Sequence, residues 1–166
     1  MSHRGKNIPL RELRTYGYGR AVRLPDFDYA GQAVIHLTIC ADDGRPFEHA
    51  GLARLTCGSV ERSCELRSYE LFGYTLMPDH VHALLSPADS GQPIGDWLQS
   101  FKGYTTNQFM KRGGKPPLWQ PSGNDHVCRT PETAERVLGY IVNNPVRAGL
   151  VERWQDWPWT KVFIEL

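Results

Sequence analysis

A chain of 166 residues can bury about two-thirds of its unfolded surface in one core, so neither disulfides nor a structural metal is needed to hold it together. Its 19 Lys and Arg against 18 Asp and Glu leave a net charge of +1, which excludes a uniformly basic nucleic-acid coat, and no apolar run approaches the ~20 residues of a membrane span. The cysteines Cys40, Cys57, Cys64 and Cys128 lack paired zinc-ribbon spacing and no secretory leader precedes them, so a soluble cytoplasmic protein with reduced thiols is expected.

The even charge total conceals an uneven distribution. Up to Pro25 the chain carries Arg4, Lys6, Arg11, Arg14, Arg20 and Arg23 against Glu12 alone. Residues 1–30 lack a clear period and read as a basic N-terminal arm able to follow a phosphate backbone, the alternative being a solubilising tail. Residues 31–166 read as one domain. Within it, residues 32–40 alternate enough for a first strand, which Asp42-Asp43-Gly44-Arg45-Pro46 closes as a turn. A helical pattern over 47–68 follows, with Leu52, Leu55, Val60, Cys64 and Leu66 apolar and Gly51 and Gly58 weakening it. Cys57 and Cys64, seven apart, share a face and read as packing residues. Strands over 69–76 and 80–86 are joined by Met77-Pro78-Asp79, a connection short enough for an antiparallel hairpin.

A second helix is predicted over 94–111 from Ile94, Trp97, Leu98, Phe101, Tyr104 and Phe109, and Gly113-Gly114-Lys115-Pro116-Pro117 ends it. From Gln99 to Lys115 the chain carries Lys102, Lys111, Arg112 and Lys115 with no acid, a second basic zone. Residues 118–120 and 125–129 read as short extended pieces. The third helix opens on Thr130 as cap, Pro131 at the first position and Glu132 facing the dipole; Ala134, Val137, Leu138 and Ile141 form its stripe, and Pro145 should end it at Asn144. The aromatic C-terminal tail around Trp154, Trp157 and Trp159 should dock on the body. Strand, helix, hairpin, helix and final extended piece give an α+β chain in βαββαβ order: the ferredoxin-like pattern, an antiparallel sheet with helices on one face.

The chemistry concentrates on the second strand of the hairpin. Residues two apart on a strand share a face, so His80, His82 and Leu84 lie on one side and Val81, Ala83 and Leu85 on the other. Paired neutral imidazoles on a rigid strand can fix two coordination positions of a divalent cation; the bland alternative is a half-polar strand. Tyr140 and Asn144, four apart, share a margin of the third helix that can look towards the sheet. Two imidazoles plus the Asn144 oxygen would hold one Mg²⁺ or Mn²⁺ as a Lewis acid for phosphoryl transfer, with Tyr140 as candidate nucleophile. A free phenol, of pKa about 10, needs help to attack at neutral pH. Tyr104 is the rival tyrosine, better suited to packing or to stacking on a base; Asp125 and His126 are accessory candidates for orienting a phosphate or a ligand; and Asn144 has the alternative role of a helix cap. His36, on the first strand, reads as an ordinary core or surface residue.

These residues resemble a family. His80-Val81-His82 is similar to the HUH motif, and Leu138-Gly139-Tyr140-Ile141-Val142-Asn143-Asn144-Pro145-Val146-Arg147-Ala148-Gly149-Leu150 resembles the tyrosine helix of the REP-associated tyrosine transposases, single-tyrosine relatives of small insertion-sequence transposases. Met77-Pro78-Asp79 before the histidines, Leu118-Trp119-Gln120, Asp125-His126-Val127 and Trp157-Pro158-Trp159 follow in the family's order, so the resemblance spans about residues 30–160. It implies a ferredoxin-like domain that cleaves and rejoins single-stranded DNA near hairpins of repetitive extragenic palindromes. His80, His82 and Asn144 would be metal ligands, Tyr140 would form a 5′-phosphotyrosine with a free 3′-OH, and the basic arm would contact the hairpin. Ser122-Gly123-Asn124 departs from the aromatic residues that relatives often carry there.

The partners implied are hairpin-bearing single-stranded DNA and Mg²⁺ or Mn²⁺, with no membrane and no small-molecule cofactor, in a monomer or homodimer working in the bacterial cytoplasm at the nucleoid. Arg4, Lys6, Arg11, Arg14, Arg20, Arg23, Lys102, Lys111 and Arg112 would contact the DNA. Two competitors stand beside this: a non-cleaving hairpin-binding module derived from a transposase, and a hydrolase of small phosphoesters that uses the same histidines with water as nucleophile.

Overall fold

The structure is a computed structural model that describes residues 33–87, 90, 92–121, 123–128 and 131–163; the basic arm and its six cations, and the Thr130 cap, lie outside the described residues. Strands β1 (Val34–Cys40), β2 (Glu70–Leu76), β3 (His80–Ser86), β4 (Asn124–Cys128) and β5 (Thr160–Val162) form one sheet in the order β4-β1-β3-β2-β5, every pairing antiparallel. Helices α1 (Ala50–Leu66), α2 (Ile94–Lys111), α3 (Pro131–Val142) and α4 (Asn144–Arg147) complete it. With α1 after β1 and α2 after β3, the first four strands have the ferredoxin-like βαββαβ arrangement that periodicity predicted.

Alternation along the strands sorts two cores onto two faces. Ile35, Leu37 and Ile39 of β1 and Val81, Ala83 and Leu85 of β3 pack with Leu52, Ala53, Cys57 and Val60 of α1 and Trp97 and Phe101 of α2. Burial of those apolar faces, at about 25 cal/mol per Å², overrides the low helix propensity of Gly51 and Gly58. Burial also pushes the thiols of Cys57 and Cys64 up to about 12, so they are inert packing groups.

The opposite face is covered by α3. Its Ala134, Leu138, Ile141 and Val142 pack on Val34, Leu84 and Cys128, with Trp154 from the tail. Helices on one face therefore describes α1 and α2 only: the ferredoxin-like order places those two crossovers, whereas α3 follows the last of its strands and takes the face they leave open. The tail docks as expected, with Trp154 buried and the Trp157 indole N–H donating to the Leu76 carbonyl at 2.9 Å. It also supplies β5, a strand of three residues, too short for alternation to reveal.

Close approach of α3 to the sheet depends on Gly73. The β2–β3 register shifts between Leu71 and Gly73, and a Cβ on Gly73 would lie 2.8 Å from Leu138 Cδ1 and 3.0 Å from the Lys161 carbonyl oxygen. Leu138 is buried and the carbonyl is backbone, so neither yields cheaply. Gly73→Ala should destabilise the fold by about 1–3 kcal/mol through overpacking. A lowered urea midpoint at unchanged m value is the expected result, and an unchanged midpoint would contradict it.

Candidate functional site

Where α3 ends, the face it covers turns from apolar to polar. Val34 and Leu84 lie beneath the helix, and further along the same face come His36 and Thr38 of β1, His80 and His82 of β3 and Thr75 of β2. The antiparallel register sets Thr38 opposite His82 and Thr75 opposite His82 on its other side. His82 is consequently flanked by hydroxyl-bearing neighbours and only 5% exposed.

Each imidazole of the predicted pair is held through its Nδ1. His80 Nδ1 lies 2.6 Å from Asp79 Oδ1, and a carboxylate can only accept, so the Nδ1–H donates to it. His82 Nδ1 lies 3.0 Å from Thr38 Oγ1 and 3.1 Å from His36 Nε2. A donating Nδ1–H on His82 leaves both Nε2 atoms as lone-pair donors, and these face one another at 3.1 Å. Two lone pairs at that distance repel unless a proton or a cation lies between them. Neighbouring ligands on an octahedral ion, each at about 2.1 Å, are about 3 Å apart, so this donor set fits a small divalent cation. Carboxylate-to-histidine contacts such as Asp79–His80 are the usual support for a ligating imidazole.

Burial first, then the neighbouring His80 and His36, lowers the His82 pKa to about 3; burial and His126 lower that of His36 to about 4. Both rings are neutral at pH 7, the state ligation requires. Unfolded, each titrates near 6.5, so between that value and the folded pKa the unfolded chain binds more protons. Their contribution to stability is complete above about pH 6.5, declines as pH falls below that value, and is gone once pH has passed about 4 for His36 and about 3 for His82. In EDTA, the urea midpoint should fall between pH 7 and pH 4.5; a flat profile would mean that these rings are not buried neutral.

Tyr140 stands over this cluster. Its ring meets that of His82 edge-on at 5.9 Å and 78°, and that of His36 at 6.3 Å and 67°. The ring is 43% exposed, so a ligand can reach it, and the Arg147 guanidinium lies 4.6 Å over its centroid. Asn144 Nδ2 donates to the Tyr140 carbonyl at 3.1 Å, which leaves the amide oxygen, the atom a cation would use, unspent on α3.

No protein-family model matches this chain. It is 26% identical over 94 residues to a REP-associated tyrosine transposase of Escherichia coli K12, an alignment covering 57% of this chain and 54% of that one. A Haemophilus influenzae protein assigned provisionally to the same family is 26% identical over 112 residues, covering 61% of this chain and 64% of the relative. The chain is similar to the REP-associated tyrosine transposases. It spans between about half and two-thirds of the length of these curated relatives. The fold matches too: the solved structure of a REP-associated tyrosine transposase bound to a REP hairpin superposes with a TM-score of 0.67 at 19% identity, covering 86% of this chain and 80% of that one.

Of the residues predicted from the transposase resemblance, His80, His82 and Tyr140 come together, and Asn144 sits one turn beyond Tyr140 with no hydrogen bond to either histidine among the described residues. Asn144 does not end the tyrosine helix as predicted. Pro145 suits a helix start, so α3 stops at Val142, Asn143 intervenes as N-cap, and Asn144 opens α4. His126 pairs directly with His36 and shares the site's face, whereas Asp125 pairs with Leu37 and belongs to the other.

Two of the predicted DNA contacts, Lys102 and Lys111, and the rival tyrosine lie on α2, across the sheet from Tyr140, and a third, Arg112, caps that helix. Lys102 Nζ donates to the Gln120 carbonyl at 2.8 Å, tying the 119–121 segment to α2 beside an open groove of about 410 Å³. Lys111 and Arg112 are exposed at the end of α2, and Tyr104 is 54% exposed rather than packed. His36, Thr38, Asp79 and Arg147 went unrecognised. The cross-strand register brings in His36 and Thr38 and the α3–α4 break brings in Arg147, whereas Asp79 is the chain neighbour of His80; His36 and Thr38 at two-residue spacing on a strand were a signal that a polar stripe continues beyond β3.

Proposed function

We propose that the chain is a metal-dependent endonuclease and strand transferase acting on single-stranded DNA at or near hairpins of the REP type, with Tyr140 as nucleophile. The observation that carries this is the Tyr140 ring edge-on to His82 at 5.9 Å, beside two Nε2 atoms converging at 3.1 Å. The names of the relatives and the hairpin held by the structural neighbour support the substrate class.

His80 and His82, with the Asn144 oxygen, would hold Mg²⁺ or Mn²⁺, which when bound supplies Lewis-acid charge withdrawal from the scissile phosphate. The chain's own residues do the rest. Asp79 keeps His80 in the tautomer that presents Nε2, His82 presents its own Nε2 to the ion when its Nδ1–H donates to Thr38, and the wall formed by His36 and His82 sets the tyrosine ring's angle. The Tyr140 oxygen attacks phosphorus in line, its proton passing to solvent; the P–O3′ bond breaks, giving a 5′-phosphotyrosine and a 3′-OH. Because the ester is conserved, the 3′-OH of another strand can reverse the step and rejoin DNA without added energy. The basic arm and the exposed cations of α2 would track flanking phosphates, and the work would take place in the cytoplasm at the nucleoid.

No apolar helix among the described residues is long enough to cross a membrane. The proposal is tested by incubating end-labelled, hairpin-bearing single strands with the protein in Mg²⁺ or Mn²⁺. Cleavage that stops in EDTA and spares the same sequence in duplex form is expected. A hairpin that binds yet stays intact in both metals would favour the non-cleaving module instead.

A further inference from the structure

Three surface arginines are each paired with an acid three residues on: Arg45 with Glu48, Arg62 with Glu65 and Arg153 with Asp156. Arg147 differs. Its guanidinium carbon sits 4.6 Å from the centroid of the Tyr140 ring, and no ion pair of Arg147 occurs among the described residues. No side-chain hydrogen bond of Arg147 occurs among the described residues either, so the N–H donors of its guanidinium fork are unspent. The backbone explains the placement. Arg147 N–H donates to the Asn143 carbonyl at 3.0 Å, so the α3–α4 break sets Arg147 at the end of a single fresh turn, and helical side chains lean back towards the N-terminus, here towards Tyr140.

We infer that Arg147 is a second catalytic residue, which grips a non-bridging oxygen of the phosphate that Tyr140 attacks and then holds the resulting phosphotyrosine. This rests on the tyrosine-nucleophile reading above. A cation against the ring face is worth most when the ring's oxygen carries negative charge, and the fork of N–H donors suits phosphate oxygens bidentately. Arg147 neither gives nor takes a proton. One P–O bond forms to Tyr140 and one breaks to O3′, while the guanidinium faces the charge that builds on the equatorial oxygens. Stacking also ties the two functions together, since the group that holds the phosphate sets the position of the ring that attacks it.

The test is single-turnover formation of the DNA-linked protein on a labelled hairpin strand, with hairpin affinity measured alongside, for wild type, Arg147→Gln, Arg147→Lys and Arg147→Ala. The rate should fall about 10²–10³-fold in Arg147→Gln with affinity changed less than about threefold, the scale of a lost transition-state donor. Arg147→Lys, which keeps charge but not the fork, should fall between. Added ethylguanidinium should partly restore Arg147→Ala, an effect that a purely structural arginine would not show. Wild-type rates in Arg147→Gln, or a loss that ethylguanidinium does not touch and that tracks weakened folding or binding, would overturn the inference while leaving Tyr140 in place. Absence of any adduct in wild type would instead remove the tyrosine reading on which it rests.

Discussion

Tyr140→Phe should abolish the covalent protein–DNA adduct and strand cleavage while hairpin affinity stays within about threefold of wild type. The substitution removes one oxygen and keeps the ring, so its edge-on contacts with His82 and His36 and its face contact with Arg147 persist. Tyr140 is 43% exposed, so loss of its hydroxyl should cost folding little. What disappears is the only atom on that ring able to bond to phosphorus. A water nucleophile directed by the same histidines predicts the opposite: cleavage would survive in Tyr140→Phe and the product would carry no protein. Gel shift, denaturing electrophoresis and product-end analysis of the two proteins separate these outcomes.

His80→Ala is the second large effect. His80 provides one of the two facing Nε2 atoms and is less enclosed than His82, with 23% of its side chain accessible, so its loss tests chemistry rather than packing. Removing half of the imidazole pair should lower the cleavage rate by about 10³-fold or more, since Lewis-acid stabilisation supplies several kcal/mol and each 1.36 kcal/mol is tenfold. Calorimetric titration with Mn²⁺ should show the matching loss of affinity. Asp79→Asn should be milder. The Asp79–His80 contact of 2.6 Å would orient the proposed ligand without itself binding the ion, and losses of about 10–100-fold in metal affinity are typical of such partners. Equal Mn²⁺ affinity in wild type and His80→Ala would show that this pair does not bind the ion.

Much of this arrangement was legible in the sequence because it depends on local period. The bounds of β3 and α2 match periodicity residue for residue, and the period of two places His80 and His82 together against Val81, Ala83 and Leu85. What escaped depends on contacts distant in sequence. His36 looked ordinary because its importance comes from Thr38 standing opposite His82, a register set 44 residues away. Likewise α3 was recognised as a helix, but nothing in its own stripe says which face of the sheet it covers; Gly73, by admitting Leu138, is the residue that records that choice. The tyrosine helix was expected to run to Asn144, since Pro145 signals a stop and a start equally well, and the start wins one residue after Asn143. That restart matters, because it carries Arg147 back over the tyrosine ring.

The central claim is that Tyr140 carries the DNA. The direct measurement is to let the protein react with a hairpin-bearing single strand in Mn²⁺, digest both DNA and protein, and locate the nucleotide by tandem mass spectrometry. The account predicts a phosphonucleotide on the oxygen of Tyr140, on no other residue, and none when EDTA is present. A modification on Tyr104, or cleaved DNA with every tyrosine unmodified, would contradict it.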